Sequence, residues 1–402
     1  MKNDSNIIPI LLGSDLNAYS VARAFHEYTG EISHAFGRYK CGLTSFSHIV
    51  KAHTVAGLDD IQKAGAALFD FAKLHKGKRL LIIPCADWYI DVARSVSTHM
   101  PESYVALLPT EEHRALFGNK RSFYKILDKY GIKYPKTEVI FNNEDLEETI
   151  KAFEYPAVIK PADSALYWKY SFPGMRKVYF AENEKEAEKV CKRIFNSGYN
   201  KELILQKKIG NDANNVSVYT TYSDRNGNVV RGVYGRVILE ECGKTSYGNH
   251  SAIITEPRSE ICEKLTEMLD EEKYMGFANF DIISDGKDEY VLEMNIRQGR
   301  SCDYLRAAGV NIAELMLKDL NGEKIKKSFE YGNVYWHYPP HSLVLKEGTA
   351  SCAAESERLR SQGKSYSPLN YVKDFLTNPL RRAYVYYHNL RLRKHFEKKE
   401  MG

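Results

Sequence analysis

The stretch from Phe277 to Arg300, FANFDIISDGKDEYVLEMNIRQGR, carries oxygen-bearing side chains at strand spacing. Residues two apart on an extended strand point to one face, so Glu293 and Asn295 look into one site together. Asp281 ends a preceding apolar run, and Ser284-Asp285-Gly286-Lys287-Asp288 supplies a polar turn between the two segments. If the hairpin pairs in register, Asp281 joins the other two from the neighbouring strand. Two carboxylates and an amide oxygen form a hard, all-oxygen set, which suits Mg²⁺ carrying nucleotide phosphates. Acidic residues on a hairpin are commonly no more than a solvated face. Here, however, Met294 and Ile296 alternate with Glu293, Asn295 and Arg297, so one face is apolar and the other polar. Asparagine is also depleted in strands and needs a reason to be there. The pattern predicts a place for phosphate chemistry.

Other elements must bring partners to that hairpin. Ile7–Leu12 reads as a buried strand ending in Gly13-Ser14-Asp15, followed by helical spacing from Asn17 to Tyr28. A second strand, Arg79–Pro84, ends in Cys85-Ala86-Asp87 before another helical stretch. Such units indicate a doubly wound α/β domain over roughly the first hundred residues. A single glycine at Gly13 falls short of a dinucleotide fingerprint, and a capped turn is the simpler account. Leu116–Lys129 reads as one helix. Tyr155–Lys160 reads as a short strand with Lys160 at its end, before a loop containing Ser164, Gly174, Arg176 and Lys177. Most strand-end lysines are surface charges, and Lys160 gains meaning from the basic loop and the downstream hairpin. Glu202–Gln206 is another strand. The runs NNVSVYTTYSD and NVVRGVYGRVILE, joined through Asn226-Gly227, indicate a largely antiparallel sheet. ECGKTSYGNH reads as a loop that includes His250, and Ser259–Met268 as a helix.

At 402 residues the chain exceeds a typical single domain. Its 43% apolar and 27% charged residues are ordinary for a globular protein. The net charge of +5 is mild and concentrated in RRAYVYYHNLRLRKHFEKK, too local to indicate a nucleic-acid-binding protein. That segment reads as a solvated, partly helical tail; the functional alternative is contact with an anionic membrane surface or cell-wall nucleotide. The seven cysteines are scattered without a CxxC pair, which points to reduced thiols and a cytoplasmic setting. The apolar run IIPILLG is too short for a transmembrane helix and unlike a signal peptide.

Taken in order, Lys120 in GNKRSFYKIL, Lys160 in YPAVIKPADS, the segment LILQKKIG and the hairpin resemble an ATP-grasp ligase over about residues 7–320. More narrowly, IPILLGSDLNAYSVARAFHE, NKRSFYKILDKYGIKYPKT, GFANFD and EMNIRQGRS resemble the D-aspartate ligases of Gram-positive peptidoglycan synthesis. The resemblance implies a mixed α/β and α+β chain, an ATP-grasp fold preceded by a Rossmann-like N-terminal domain. The expected divisions are 1–115 for that domain, 116–205 and 206–325 for the two ATP-grasp subdomains, and 326–402 for a C-terminal extension.

The resemblance also assigns roles. Asp281, Glu293 and Asn295 match the Mg²⁺ ligands, and Lys120 and Lys160 the lysines on the ATP phosphates. Gln206, Lys207 and Ile209 match the segment that holds adenine, although the family commonly has an acidic residue where Gln206 stands. Asp212 is the nearest candidate for ribose. Arg297 matches an arginine facing the acyl phosphate, and Arg300 and Ser301 fall in the carboxylate-substrate pocket. The implied substrates are ATP, an amino acid such as D-aspartate, and the lysine side-chain amine of a cell-wall peptide precursor. Two alternatives stay open: an ATP-grasp ligase for another amino acid or small metabolite, and an ATP-binding protein without ligase turnover.

Overall fold

The computed structural model describes residues 6–210, 215–241, 243 and 246–397. Three sheets organise the described residues. The first is parallel, in the order β3-β2-β1-β4-β5, with β1 Ile7–Leu12, β2 Ser33–Gly37, β3 Val50–Thr54, β4 Arg79–Pro84 and β5 Tyr104–Val105. Strands β1 and β4 are near-continuous apolar runs because helices cover both faces of the sheet. The chain order reverses between β1 and β4, so the loops after them, Gly13–Asp15 and Cys85–Asp87, flank a topological switch point. Asp15 caps the helix Leu16–Thr29 by accepting from the N–H groups of Asn17 and Ala18, as the capped-turn reading expects.

The second sheet, β6-β9-β7-β8, is antiparallel, built from β6 Thr137–Ile140, β7 Ala157–Pro161, β8 Tyr179–Ala181 and β9 Leu203–Lys207. One face buries Ala157, Ile159, Leu203 and Leu205 beneath the helices Asn143–Ala152 and Glu184–Asn196. By strand alternation the other face presents Thr137, Lys160 and Gln206. Strand β9 runs across the expected division at 205/206.

The third sheet has seven strands in the order β14-β13-β10-β11-β12-β15-β16. They are β10 Val216–Ser223, β11 Val229–Glu240, β12 His250–Glu256, β13 Gly276–Ser284, β14 Glu289–Asn295, β15 Tyr335–His337 and β16 Ser365–Tyr366. The expected antiparallel pairing of β10 with β11 is present. Gly227 turns the chain at φ +71°, and the Asp224 side chain accepts from the N–H groups of Asn226 and Asn228.

Three sequence expectations need correction. The single helix expected over Leu116–Lys129 is two, Glu111–Phe117 and Lys120–Lys129. Asn119 supplies the reason: its side chain accepts from the N–H groups of Arg121 and Ser122, capping a new helix that starts at Lys120. His250 is not a loop residue. It opens β12, opposite Glu240, and is buried. The basic C-terminal segment is not a solvated tail but a packed helix, Pro379–Glu397, burying Arg381, Val385, Leu392 and Phe396.

Candidate active site

The hairpin of β13 and β14 pairs Asp281 with Glu293 and Asn279 with Asn295. A β-bulge makes this possible. Between Ser284↔Glu289 and Ile282↔Val291 the ladder is regular, and the next pair is Asp281↔Glu293, leaving Leu292 as the extra residue. Val291 and Glu293 would share a face in a regular strand. With Leu292 extruded, Val291 stays in the core with Ile282, Met294 and Ile296, while Glu293 turns to the cleft. The Leu292 carbonyl does not go to waste: the Tyr124 hydroxyl donates to it at 3.0 Å.

Lysines surround the carboxylates. Lys120, first residue of its helix, holds Nζ 3.4 Å from Glu293 Oε2. Lys160 reaches across from β7 and donates to Gln206 Oε1 at 3.1 Å. The Gln206 amide in turn donates to Tyr124 Oη at 3.0 Å and Thr137 Oγ1 at 2.9 Å. Gln206, buried on β9, is therefore a neutral hub between Lys160 and the hairpin's partner helix.

The electrostatics follow from this crowding. Burial raises the Asp281 carboxyl above the usual carboxylate range, and the facing Glu293 charge adds to the rise. Burial pushes Glu293 the same way, but Lys120, Lys160 and Lys177 outweigh it and hold Glu293 below that range. Lys120 and Lys160 are lowered, chiefly by burial. Lys177 sits on a loop of the small sheet and donates to the Tyr247 carbonyl at 3.0 Å. Phe180 on β8 meets the Tyr247 ring at 5.7 Å, a second contact between these two segments. His250 Nε2 lies 3.9 Å from Asp281 Oδ1, and burial lowers its pKa.

The segment after β14 joins the cleft to the first sheet. Gln298 Nε2 donates to the Pro84 carbonyl, and Asn17 Nδ2 donates to the carbonyls of Cys85 and Gln298. Arg297 thereby lies beside the switch point and donates to Asp87 Oδ2 at 2.8 Å. Its Nε is buried without a partner among the described residues. Arg300 Nη1 stands 2.9 Å from Glu241, with its guanidinium 5.2 Å from the Tyr338 ring centre. The Tyr338 hydroxyl meets His388 Nε2 at 2.5 Å. Ser301 is buried alongside.

Asp281, Glu293, Asn295, Lys120, Lys160 and Gln206 thus come together, with Arg297 and Arg300 at the next station. The Lys207 ammonium is directed elsewhere, donating to the Tyr155 carbonyl, while its N–H donates to the Lys136 carbonyl. Ile209 lies just beyond β9. Asp212 lies outside the described residues. Sequence reasoning did not assign Tyr124, Thr137, Asp87, Glu241 or the Tyr338–His388 pair. Each is remote in sequence from the residue it supports, and no local pattern marks it.

An ATP-grasp domain matches residues 117–301. D-aspartate ligase of Enterococcus faecium is 33% identical over 325 residues, covering 79% of this chain and 77% of that one. The chain belongs to the ATP-grasp family. Solved structures agree on the fold. The biotin carboxylase domain of Hydrogenobacter thermophilus 2-oxoglutarate carboxylase, in a complex with MgADP, ADP and bicarbonate, superposes with TM-score 0.62 at 17% identity, covering 82% of this chain and 73% of that chain. Phosphoribosylamine–glycine ligase of Thermotoga maritima gives 0.57 at 19% identity, covering 82% and 79%. This ATP-grasp member is a carboxylate–amine ligase forming C–N bonds.

Proposed function

We propose that this ligase activates the β-carboxylate of D-aspartate as an acyl phosphate and transfers it to the lysine side-chain amine of a cell-wall peptide precursor. The support for this substrate pair is the likeness to D-aspartate ligase. The observation that carries the chemistry is the Asp281–Glu293 cross-strand pair, ringed by Lys120, Lys160 and Lys177 and adjoining Arg297.

The donor set fits Mg²⁺. A divalent ion here would be held by the Asp281 and Glu293 carboxylates and the Asn295 amide oxygen, with phosphate oxygens completing its shell. Burial, and after it the facing Glu293 charge, raises the Asp281 carboxyl, and a divalent ion beside the pair would favour its charged form. When bound, such an ion neutralises charge on the ATP phosphates.

Direct attack of an amine on a carboxylate fails because the leaving group would be oxide or hydroxide. Attack of the carboxylate oxygen on the γ-phosphorus expels ADP and makes an acyl phosphate. The amine, arriving unprotonated, then attacks the acyl carbon; the C–O bond breaks, and phosphate leaves with the proton the nitrogen gives up. The first step needs positioning and charge neutralisation, the role of Lys120 and Lys160. The second develops charge on the acyl oxygen, and the planar Arg297 fork suits it. Gln206, Lys207 and Ile209 border the place for adenine. Arg300 and Ser301 border that of the acid, with the Arg300 charge balanced by Glu241.

A phosphate-release screen of D- and L-amino acids with purified peptide precursor, followed by mass spectrometry, tests the proposal. Adduct formation with D-aspartate is expected; an adduct formed only with another acid overturns the substrate. Glu293→Ala should lower turnover at least about 100-fold. Unchanged turnover would remove the hairpin from the site.

A further inference from the structure

The helix Pro379–Glu397 has two faces of opposite character. Its inner face is docked on the molecule through Arg381, Val385, Leu392 and Phe396. Its outer face is exposed and apolar along one stripe. Leu380, Ala383, Tyr387 and Leu390 follow one another at helical spacing, Tyr386 stands beside them, and the exposed Lys394 ends the row. Leu380 and Tyr386 are each 68% exposed and Tyr387 57%. On the preceding turn, Val372 (62%) and Leu376 (58%) are exposed as well. Large apolar side chains exposed in such number and bordered by charge are uncommon without a partner.

The charge decides which partner. Arg382, Arg391 and Arg393 are exposed at the borders of the stripe, and Lys373 is exposed beside Val372. The helix carries one carboxylate against these cations, Glu397 at its last residue. Aromatic and aliphatic side chains along the middle, with long cations whose stems can lie along apolar surface at the edges, is the pattern of a helix lying in a membrane interface. No helix among the described residues is long and apolar enough to cross a membrane, so contact would be peripheral.

We infer that the outer face of this helix docks the protein on an anionic lipid bilayer. The inner face gives the docking a consequence. His388, on the cleft side of the helix, meets Tyr338, whose ring stacks under Arg300. The cleft arginine and the lipid face are therefore separated by little more than one helix, ~10–12 Å across. An acceptor held at the membrane surface lies within reach of the cleft.

Sedimentation of the full chain with vesicles of phosphatidylcholine, with and without phosphatidylglycerol, tests this. Binding is expected only with phosphatidylglycerol and should fall at high salt. It should be lost in Leu380→Ser/Tyr387→Ser/Leu390→Ser, and fall at least about 100-fold in Arg382→Gln/Arg391→Gln/Arg393→Gln/Lys394→Gln, since each cation near a charged bilayer contributes about fivefold. Neither variant touches the cleft, so phosphate release on soluble substrates should stay at the parental rate. That readout separates failure of docking from failure of the proposed ligation. Equal binding to neutral vesicles, or retention by both variants, overturns the inference. So does a dimer in equilibrium sedimentation that the apolar variant dissociates, which would make the face a contact between copies of the chain.

Discussion

Arg297 lies between two demands. Asp87 holds one of its nitrogens at 2.8 Å, Asn295 Oδ1 is 3.5 Å away, and its buried Nε has no partner among the described residues. A buried guanidinium nitrogen in that state is costly in isolation and useful if an oxyanion arrives. Lysine at this position keeps the charge but loses the planar fork. Arg297→Lys is accordingly expected to lower kcat by about 100-fold while moving KM for ATP little, as read by coupled phosphate release. An equal rise in KM with unchanged kcat would assign Arg297 to ground-state binding instead.

At the scale of elements, the bulge at Leu292 and the C-terminal helix do the positioning. Tyr124 links the helix Lys120–Lys129 to both walls of the cleft, donating to Leu292 O and accepting from Gln206. Tyr124→Phe leaves a carbonyl and an amide without that partner and should cost about 1–2 kcal/mol in urea unfolding. The C-terminal helix is anchored through Arg381. Its guanidinium stacks 4.0 Å over Tyr19 and lies 3.5 Å from Asp374, both charged side chains being fully buried. Asp374 also accepts from Tyr19 Oη, Ser47 Oγ and the His48 N–H. Removing one partner of such a pair leaves an uncompensated buried charge, so Asp374→Ala should cost about 3–5 kcal/mol. A loss below about 1 kcal/mol would mean that the helix holds without this anchor.

For the whole molecule, two histidines removed from water to different degrees, His34 and His388, set a common acid limit. His34 stacks on His53 with Nδ1 2.9 Å from His53 Nε2, near His75 and Lys51. Burial, then these neighbours, lowers it to about 4. His388 is likewise lowered to about 4, by burial and by Arg391, Arg381 and Arg300. A histidine whose folded pKa lies below its unfolded value stabilises the fold fully above about 6.5, and that contribution is lost as the pH falls toward 4. The melting temperature should therefore drop between pH 7 and pH 4.5, and less so in His34→Gln. A flat profile over that window would contradict the assignment.

Much of this was legible in the chain. Alternation along β14 separated Glu293 and Asn295 from Met294 and Ile296, and those faces are the ones observed. The β1 and β4 runs and the β10–β11 pairing were readable for the same reason: side-chain periodicity is a local property of extended backbone. Local pattern had no means of revealing the extra residue at Leu292, the helix break at Asn119, or the docking of Pro379–Glu397 on Tyr19 and Tyr338. The Glu241 partner of Arg300 and the Gln206 hub were equally hidden. In the docking, partners more than three hundred residues apart meet, as Arg381 and Leu43 do across 338 positions. The amino-acid sequence by itself determined which residues share a strand face and in what order the site's parts occur. Only the tertiary structure decided which of them meet, because burial of the bulged hairpin and of the Asp374–Arg381 pair is set by contacts that no short window contains.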